Sequence, residues 1–209
     1  MRTLRECRLY GIIDLGYIDI DIGNCNRIAE QMVEGGVDLI QLRGKEKSID
    51  QLVDLAAALH EITSRSSMPL IVNDYAEIAA KVPVEGVHVG QDDDSIAAAR
   101  QKAGRTLLVG KSTHSLDQAL AAQREGADYI GFGPVFATPT KPDYAAIGLE
   151  DIKRVHDEVT IPIFCIGGIN IDTLQSVIDA GANRVVMVSA LLKAHSIVDY
   201  ARCATDMLA

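Results

Sequence analysis

Several short clusters of polar residues follow directly on apolar runs. Gln41-Leu42-Arg43-Gly44-Lys45 sets two cations two positions apart. On an extended segment their side chains project to the same side and could clamp a polyanion, although two solvated surface charges would show the same pattern. Asn73-Asp74 and Gly90-Gln91-Asp92-Asp93-Asp94 supply carboxylates. Carboxylates from two such clusters could share one hard cation, because Mg²⁺ takes one or two protein carboxylates, keeps waters and uses substrate phosphate for the rest. The alternative for the second cluster is helix capping by Asp93 or Asp94 ahead of Ile96. Gly110-Lys111-Ser112-Thr113-His114 offers a hydroxyl donor for a phosphate or a heterocycle, and a His that reads equally as a base or as a structural group. No acid, His and Ser stand in an order that suggests a hydrolase triad. Between Gly133 and Pro142 lie Thr138, Thr140, Lys141 and three prolines, either a rigid set of phosphate donors or an ordinary turn-rich loop. Ile166-Gly167-Gly168-Ile169-Asn170 precedes a helical pattern, and Val188-Ser189-Ala190 ends the last apolar run. Glycines before a helix can turn backbone N–H groups and a positive dipole end toward an anion.

The elements that must position these clusters alternate. The apolar runs are Leu9–Ile13, Leu39–Leu42, Leu70–Val72, Val87–Val89, Leu107–Val109, Tyr129–Phe132, Ile163–Ile166 and Val185–Val188. Short runs rich in Val, Ile and Leu are the mark of strands buried on both faces. Between them lie helical stripes, such as Ile49, Leu52, Val53, Leu55, Ala56, Leu59 and Ile62. Ser48 and Ser115 stand at N-cap positions. Gly36-Val37-Asp38, Gly126-Ala127-Asp128 and Gly181-Ala182-Asn183 share one plan, a helix ended by Gly, a polar turn residue and then a strand, with Glu85-Gly86 a weaker fourth copy. An open doubly wound sheet would fit this alternation, but there is no GxGxxG after the first strand and no GxxxxGK[ST]. The expected fold is α/β, a (β/α)8 TIM barrel as a single domain over residues 1–209. Chemistry in such barrels sits at the C-terminal strand ends, and phosphate often at the loops after strands seven and eight. One mouth would then hold a phosphate cup on one side, and carboxylates with Arg43, Lys45 and Lys141 on the other. Two anionic sites imply the joining of two phosphorylated substrates, or one bis-phosphorylated substrate.

Composition bounds the partners. The net charge is −9, which disfavours a nucleic-acid backbone as partner. No apolar run approaches the length of a membrane span, and the N-terminus lacks an apolar signal region. Cys7, Cys25, Cys165 and Cys203 form no CxxC and read as reduced thiols, so the expected location is cytoplasmic.

With these residues in hand, the sequence resembles the thiamine phosphate synthase family from Leu9 to about Leu192. The motifs are QLRGK at Gln41–Lys45, ND at Asn73–Asp74, GVHVGQDD at Gly86–Asp93, KSTH at Lys111–His114, GPVFATPTK at Gly133–Lys141, IGGI at Ile166–Ile169 and VSA at Val188–Ala190. The resemblance implies a transferase of thiamine biosynthesis. It would join 4-amino-5-hydroxymethyl-2-methylpyrimidine pyrophosphate to hydroxyethyl-methylthiazole phosphate, using Mg²⁺ and releasing pyrophosphate first. It further implies that Gln41, Leu42, Arg43, Gly44, Lys45, Asn73, Ser112 and Lys141 bind the pyrimidine pyrophosphate. Asp74 and Asp93 would hold Mg²⁺. Thr138, Pro139, Thr140, Gly168, Val188 and Ser189 would hold the thiazole phosphate, and Arg43, Lys45, Ser112 and Lys141 would act in catalysis. Expected partners are the small phosphorylated pyrimidine and thiazole substrates and a second copy in a homodimer, with no nucleic acid and no membrane. Relatives usually carry an acidic residue at Gly44 and often Asp at Glu77. Thiazole tautomerases of the same family tend to lack the metal carboxylates and the loop Lys and to carry His at Pro134. A non-catalytic phosphate-binding barrel is the alternative from another class, and sugar-phosphate epimerases would share only the Gly168 and Ser189 loops.

Overall fold

The computed structural model describes residues 3–138 and 145–209. Eight parallel strands close into a barrel in chain order: β1 (Leu9–Asp14), β2 (Leu39–Arg43), β3 (Leu70–Asn73), β4 (Gly86–Val89), β5 (Leu108–Thr113), β6 (Tyr129–Phe132), β7 (Ile163–Cys165) and β8 (Val185–Met187). β1 pairs with both β2 and β8, and this closes the ring. Helices α1 (Ile22–Glu34), α2 (Ile49–Arg65), α3 (Ile96–Ala103), α4 (Leu116–Arg124), α5 (Ile152–Glu158), α6 (Ile171–Asp179), the one-turn α7 (Ser189–Leu192) and α8 (Ile197–Met207) alternate with the strands, and a 3₁₀ turn at Ala76–Ala80 replaces the helix after β3. The expected (β/α)8 fold is the observed one.

Period-two alternation sorts the strand residues into two cores. Tyr10, Ile12, Leu39, Ile71, Tyr129, Phe164 and Val186 point into the barrel, where Leu4 and Cys7 join them from the N-terminal end. The intervening Leu9, Ile13, Ile40, Leu42, Leu70, Val72, Val87, Val89, Val109 and Ile130 pack outward under the helices. Such double burial is why the strands read as unbroken apolar runs.

The caps follow the sequence signals with two differences. Ser48 caps α2 and Ser115 caps α4, each through its side chain. Gly36, Gly126 and Gly181 all take positive φ after a helix, as the repeated plan requires. Gly86 does not; it is the first residue of β4, pressed between Ile71 and Leu108. The cap of α3 is Ser95, which accepts from Ala98 N, so neither Asp93 nor Asp94 is spent there. Asp94 instead pairs with Lys102 at 2.7 Å. Cys7, Cys25, Cys165 and Cys203 are all free thiols, as their spacing suggested.

Candidate active site

The C-terminal strand ends enclose a cavity of about 440 Å³. Asp14, Gln41, Arg43 and Asn73 line it from the ends of β1 to β3, Gly168, Val188, Ser189 and Lys193 from the loops after β7 and β8, and Thr138 and Pro134 from the loop after β6. Tyr10, His88 and Ser112 also line it. β5 runs as far as Thr113, beyond its apolar run, so Ser112 is held on a strand and not on a loop.

Arg43 ends β2 and Asp14 ends β1, at paired positions of the two strands. Arg43 Nη1 donates to Asp14 Oδ2 at 2.5 Å, and the Asp14 side chain is only 3% exposed. A buried ion pair repays its desolvation only when geometry is good. Here it fixes the guanidinium at the cavity wall. Lys45 stands further out, half-exposed, with Nζ 3.8 Å from Asp74 Oδ2.

Asp74 takes a left-handed backbone conformation, φ 63, tied down by its N–H to His88 O at 2.8 Å. Such conformations cost a non-glycine residue energy and persist where the surroundings impose them. Burial, then the adjacent Asp93 carboxylate, push the Asp74 carboxyl up to about 6, while Lys45 and Arg43 pull the other way. Asp93 folds back so that Oδ2 accepts from Gly90 N at 2.8 Å, and a Cβ on Gly90 would lie 2.6 Å from that oxygen. The two carboxylates sit at the rim and not among the residues lining the cavity. Among the described residues no group of three or more His, Cys, Asp or Glu could hold a metal. Two carboxylates crowded together suit a cation that asks for few protein ligands.

The structure brings most of the expected site together. Gln41, Arg43, Asn73, Ser112, Thr138, Gly168, Val188 and Ser189 share the cavity, with Lys45, Asp74 and Asp93 at its rim. Two expectations change. The Leu42 side chain is buried outward against the helices, because it alternates with Gln41 and Arg43, so only its backbone is available to a ligand. Gly44 does not line the cavity, and a Cβ there would meet the Leu15 and Leu52 side chains at 2.7 and 2.9 Å. Glu77 lies on the 3₁₀ turn, within electrostatic reach of Lys102. Pro139, Thr140 and Lys141 lie outside the described residues.

The helix-dipole reading of the glycine loop also changes. Asn170 caps α6 and accepts from Asp172 N and Thr173 N, while Ile171 N donates to Tyr200 OH, so the first turn of α6 is occupied by the protein itself. Gly168 has a different reason to be glycine. Its φ is +65, and a Cβ would come 2.6 Å from Phe136 Cβ and 2.9 Å from Ala137 O. The loops after β6 and β7 meet there at backbone distance.

Sequence reasoning gave no site role to several polar cavity residues, among them Asp14, His88, Tyr10 and Lys193. Asp14 was signalled as the carboxylate that ends the first strand, and His88 as the inward position between Val87 and Val89. Tyr10 alternates in the same way on β1. Lys193, whose ammonium lies 4.7 Å from the Tyr17 ring centre, follows the last motif by three residues and gave no local signal. His114 Nδ1–H donates to Gly133 O, and the His114 backbone N–H donates to Gln118 Oε1 at 2.8 Å. This gives it a structural task, joining the loops after β5 and β6.

A family model described as thiamine monophosphate synthase matches residues 9–191. The chain belongs to the thiamine monophosphate synthase family. A thiamine-phosphate synthase of Chloroflexus aurantiacus is 44% identical over 94% of this chain and 90% of its own length. One of Clostridium acetobutylicum is 40% identical over 86% of this chain and 85% of its own length. A thiamine phosphate pyrophosphorylase structure from Pyrococcus furiosus superposes with TM-score 0.88 and 29% identity, covering 99% of this chain and 98% of that one. A geranylgeranylglyceryl phosphate synthase from Thermoplasma acidophilum, TM-score 0.72 at 17% identity, shares the fold alone. The family's synthases thus share this barrel, and no helix among the described residues is long and apolar enough to cross a membrane.

Proposed function

We propose that the two walls of this mouth bind two phosphorylated substrates at once, the pyrimidine pyrophosphate against Gln41, Arg43, Asn73 and Ser112 and the thiazole phosphate against Thr138, Gly168, Val188 and Ser189. The chain is a thiamine-phosphate synthase, a transferase that makes thiamine phosphate and pyrophosphate from these substrates. The observation that carries the site assignment is that one cavity gathers Gln41, Arg43, Asn73 and Ser112 with Thr138, Gly168, Val188 and Ser189, while Lys45 and Asp74 pair just outside its lining. Asp74 and Asp93 would hold Mg²⁺, and the crowding that pushes Asp74 up supports a cation between them. Bound there, Mg²⁺ would neutralise part of the pyrophosphate charge and polarise the leaving oxygens.

The chain's own residues have a simple task. The methylene carbon–oxygen bond of the pyrimidine breaks, and its electron pair moves onto the pyrophosphate. The thiazole nitrogen then gives its lone pair to the same carbon, and no proton has to move. Arg43 and Lys45, with Lys141, stabilise charge that grows on the leaving oxygens, so they bind the transition state more strongly than the substrate. Asp14 keeps the Arg43 guanidinium aimed while this happens. The facing walls hold the nitrogen near the carbon, which removes the entropy cost of their meeting. Nothing here needs a protein nucleophile.

A thiazole tautomerase would need no such leaving-group cradle, and this chain keeps Asp74 and Asp93 and has Pro134 in place of His. A cytoplasmic location and assembly as a homodimer belong to the same reading. Ile20 and Ile22, large apolar side chains exposed on the described surface, offer a point of contact for a second copy. Light scattering on pure protein tests that assembly. The test of function is incubation of pure protein with both substrates, with and without Mg²⁺, following thiamine phosphate and pyrophosphate. Normal turnover after EDTA treatment would remove the metal role, and absence of coupling beside active thiazole tautomerisation would replace the synthase reading.

A further inference from the structure

Beneath the cavity a continuous file of hydrogen bonds crosses the inside of the barrel. Gln41 Nε2 contacts Tyr10 OH at 2.6 Å, and Tyr10 OH contacts Tyr129 OH at 3.2 Å. Tyr129 OH reaches His88 Nδ1 at 3.1 Å, and His88 Nε2 reaches Ser112 Oγ at 3.0 Å. The file therefore begins and ends on two cavity residues that stand on β2 and β5. Its middle is dry: Tyr10 is 2% exposed and Tyr129 is fully buried. The fold gives up a side chain to make room for it, since a Cβ on Gly110 would sit 2.2 Å from Tyr129 Cζ and 2.5 Å from His88 Nδ1. Phe164 holds both tyrosine rings edge-on, at 5.4 and 5.7 Å. Burial pushes both phenols well above the usual tyrosine range, so they remain hydroxyls.

A phenol donates one hydrogen bond, and a neutral imidazole donates from one nitrogen and accepts at the other. With each of these protons used inside the file, the whole file points one way. In one polarity the Gln41 amide donates to Tyr10, Tyr10 to Tyr129, Tyr129 to His88 Nδ1 and His88 Nε2–H to Ser112. The Ser112 proton is then left to donate into the cavity. In the other polarity the Gln41 amide is turned over, and Ser112 donates to His88 Nε2, His88 Nδ1–H to Tyr129, Tyr129 to Tyr10 and Tyr10 to the Gln41 carbonyl. Ser112 can then only accept from a ligand, while the Gln41 amide group can donate.

We infer that Gln41, Tyr10, Tyr129, His88 and Ser112 form one reversible hydrogen-bond relay that makes the two ends complementary, so that the pyrimidine edge is recognised as a donor beside an acceptor. The inference rests on the pyrimidine placement proposed above. A 4-aminopyrimidine offers a donor at its exocyclic nitrogen and an acceptor at the neighbouring ring nitrogen, and a 4-oxo analogue reverses both. Each sets the relay to one polarity, and an edge with two acceptors leaves one end unpaired. Tyr129 is a positioning residue here, since it does not line the cavity and acts only through its neighbours, whereas Tyr10 and His88 also border the cavity.

The His88 tautomer reports the polarity and can be read from ¹⁵N-histidine spectra, with His88 assigned by its loss in His88→Gln. In the ligand-free Gln41→Glu protein at pH 9 the new carboxylate can only accept. His88, three hydrogen bonds away, should hold its proton on Nδ1, and Tyr129→Phe added to that variant should abolish the effect. Phe keeps the ring packed, so the fold is retained. No tautomer change in Gln41→Glu, or the same change with Tyr129→Phe present, overturns the relay. In the wild type, 4-amino-5-hydroxymethyl-2-methylpyrimidine monophosphate and its 4-oxo counterpart should give opposite His88 tautomers. The same tautomer with both bound, or an imidazolium signal, overturns the recognition inference. If neither compound perturbs His88 or Ser112, the pyrimidine placement itself fails, whatever Gln41→Glu shows. Tyr129→Phe should raise KM for the pyrimidine pyrophosphate about fivefold, as loss of one hydrogen bond would, and leave KM for the thiazole phosphate unmoved.

Discussion

At the N-terminal rim of the barrel, Asp38 accepts from Arg8 N at 2.8 Å and Leu9 N at 3.0 Å, fastening the entry of β2 to that of β1. Asp128 does the same one half-turn around the ring, taking Val109 N and the Arg100 guanidinium at 2.7 Å each. At the C-terminal rim, Asp74 and Asp93 press on one another, and the cation paired with Asp74 among the described residues is a half-exposed Lys45. The same residue type is thus a donor-satisfied fastener at one end, while at the other Asp74 is crowded by Asp93, whose own carboxylate accepts from Gly90 N. A carboxylate given backbone N–H partners is stabilised in its charged form, whereas one set beside another carboxylate waits for a proton or a metal. The barrel spends its stability at the bottom and keeps its unmet electrostatic demand at the top.

If that division is right, changes at the two ends should fail in different measurements. The largest effect is expected from Lys141→Ala. Losing one contact to the leaving pyrophosphate should cost about 2–4 kcal/mol of transition-state stabilisation, on the order of 10²–10³ in kcat, with the urea midpoint near wild type. Arg43→Lys should also lower kcat, because Lys cannot hold Asp14 and phosphate oxygens with one planar group. Wild-type coupling rates in Lys141→Ala would end the leaving-group account.

The converse change is Asp38→Ala. It strands two backbone N–H groups at a buried site and should cost about 2–3 kcal/mol of stability. At roughly 2–4 °C per kcal/mol for a chain of this size, Tm should fall by roughly 5–10 °C, while kcat and both KM values at 25 °C stay unchanged. A kinetic defect in a folded Asp38→Ala protein would show that the two ends are not separable. Next in size is Gly168→Ala. The left-handed conformation and the contact with Phe136 should together shift the loop after β6, raising KM for the thiazole phosphate about tenfold, as about 1–2 kcal/mol implies. KM for the pyrimidine should not move, and an equal rise in both would remove Gly168 from the thiazole side.

The lower rim was the more legible part of the sequence. Gly36, Gly126 and Gly181 each announced a left-handed helix end, and the Asp or Asn two positions later announced the turn; local chemistry sufficed for both. The cavity motifs were legible for the same reason, because each stands directly after an apolar run. What the sequence hid depends on parity and on distance across the ring. Leu42 sits inside a binding motif but alternation sends its side chain outward. His88 reads as one residue of a strand until Gly110 and Tyr129, from two other strands, are seen to make room for and contact it. The pairing of Arg43 with Asp14 joins residues 29 apart in sequence and follows only from strand register. Asp93 looked equally like a helix cap, and only the side chain of Ser95 in that place decides otherwise.

The smallest effect is also the most direct measure of the upper rim's unmet charge. In the ligand-free protein the Asp74 carboxyl titrates near 6, against an ordinary value of 3.8 in the unfolded chain. The folded state therefore holds this proton more tightly than the unfolded state. The contribution of Asp74 to stability must then be greatest below about 4, fall as pH rises through the interval from about 4 to 6, and remain lower above it. The open mouth and the facing Lys45 screen the effect, so the fall should be on the order of 1 kcal/mol. Asp93→Asn removes the neighbouring charge, while its side-chain oxygen can still accept from Gly90 N. Burial alone still raises Asp74 in that variant, so its slope should shrink without vanishing. The prediction is that urea midpoints of wild type and Asp93→Asn agree at pH 4 and separate by pH 7, with the variant the more stable. Adding Mg²⁺ with pyrophosphate should raise the wild-type midpoint at pH 7 and affect Asp93→Asn far less. Parallel midpoints from pH 4 to 7 would mean that the two carboxylates do not share a charge-starved site, and the contrast between the rims would have to be abandoned.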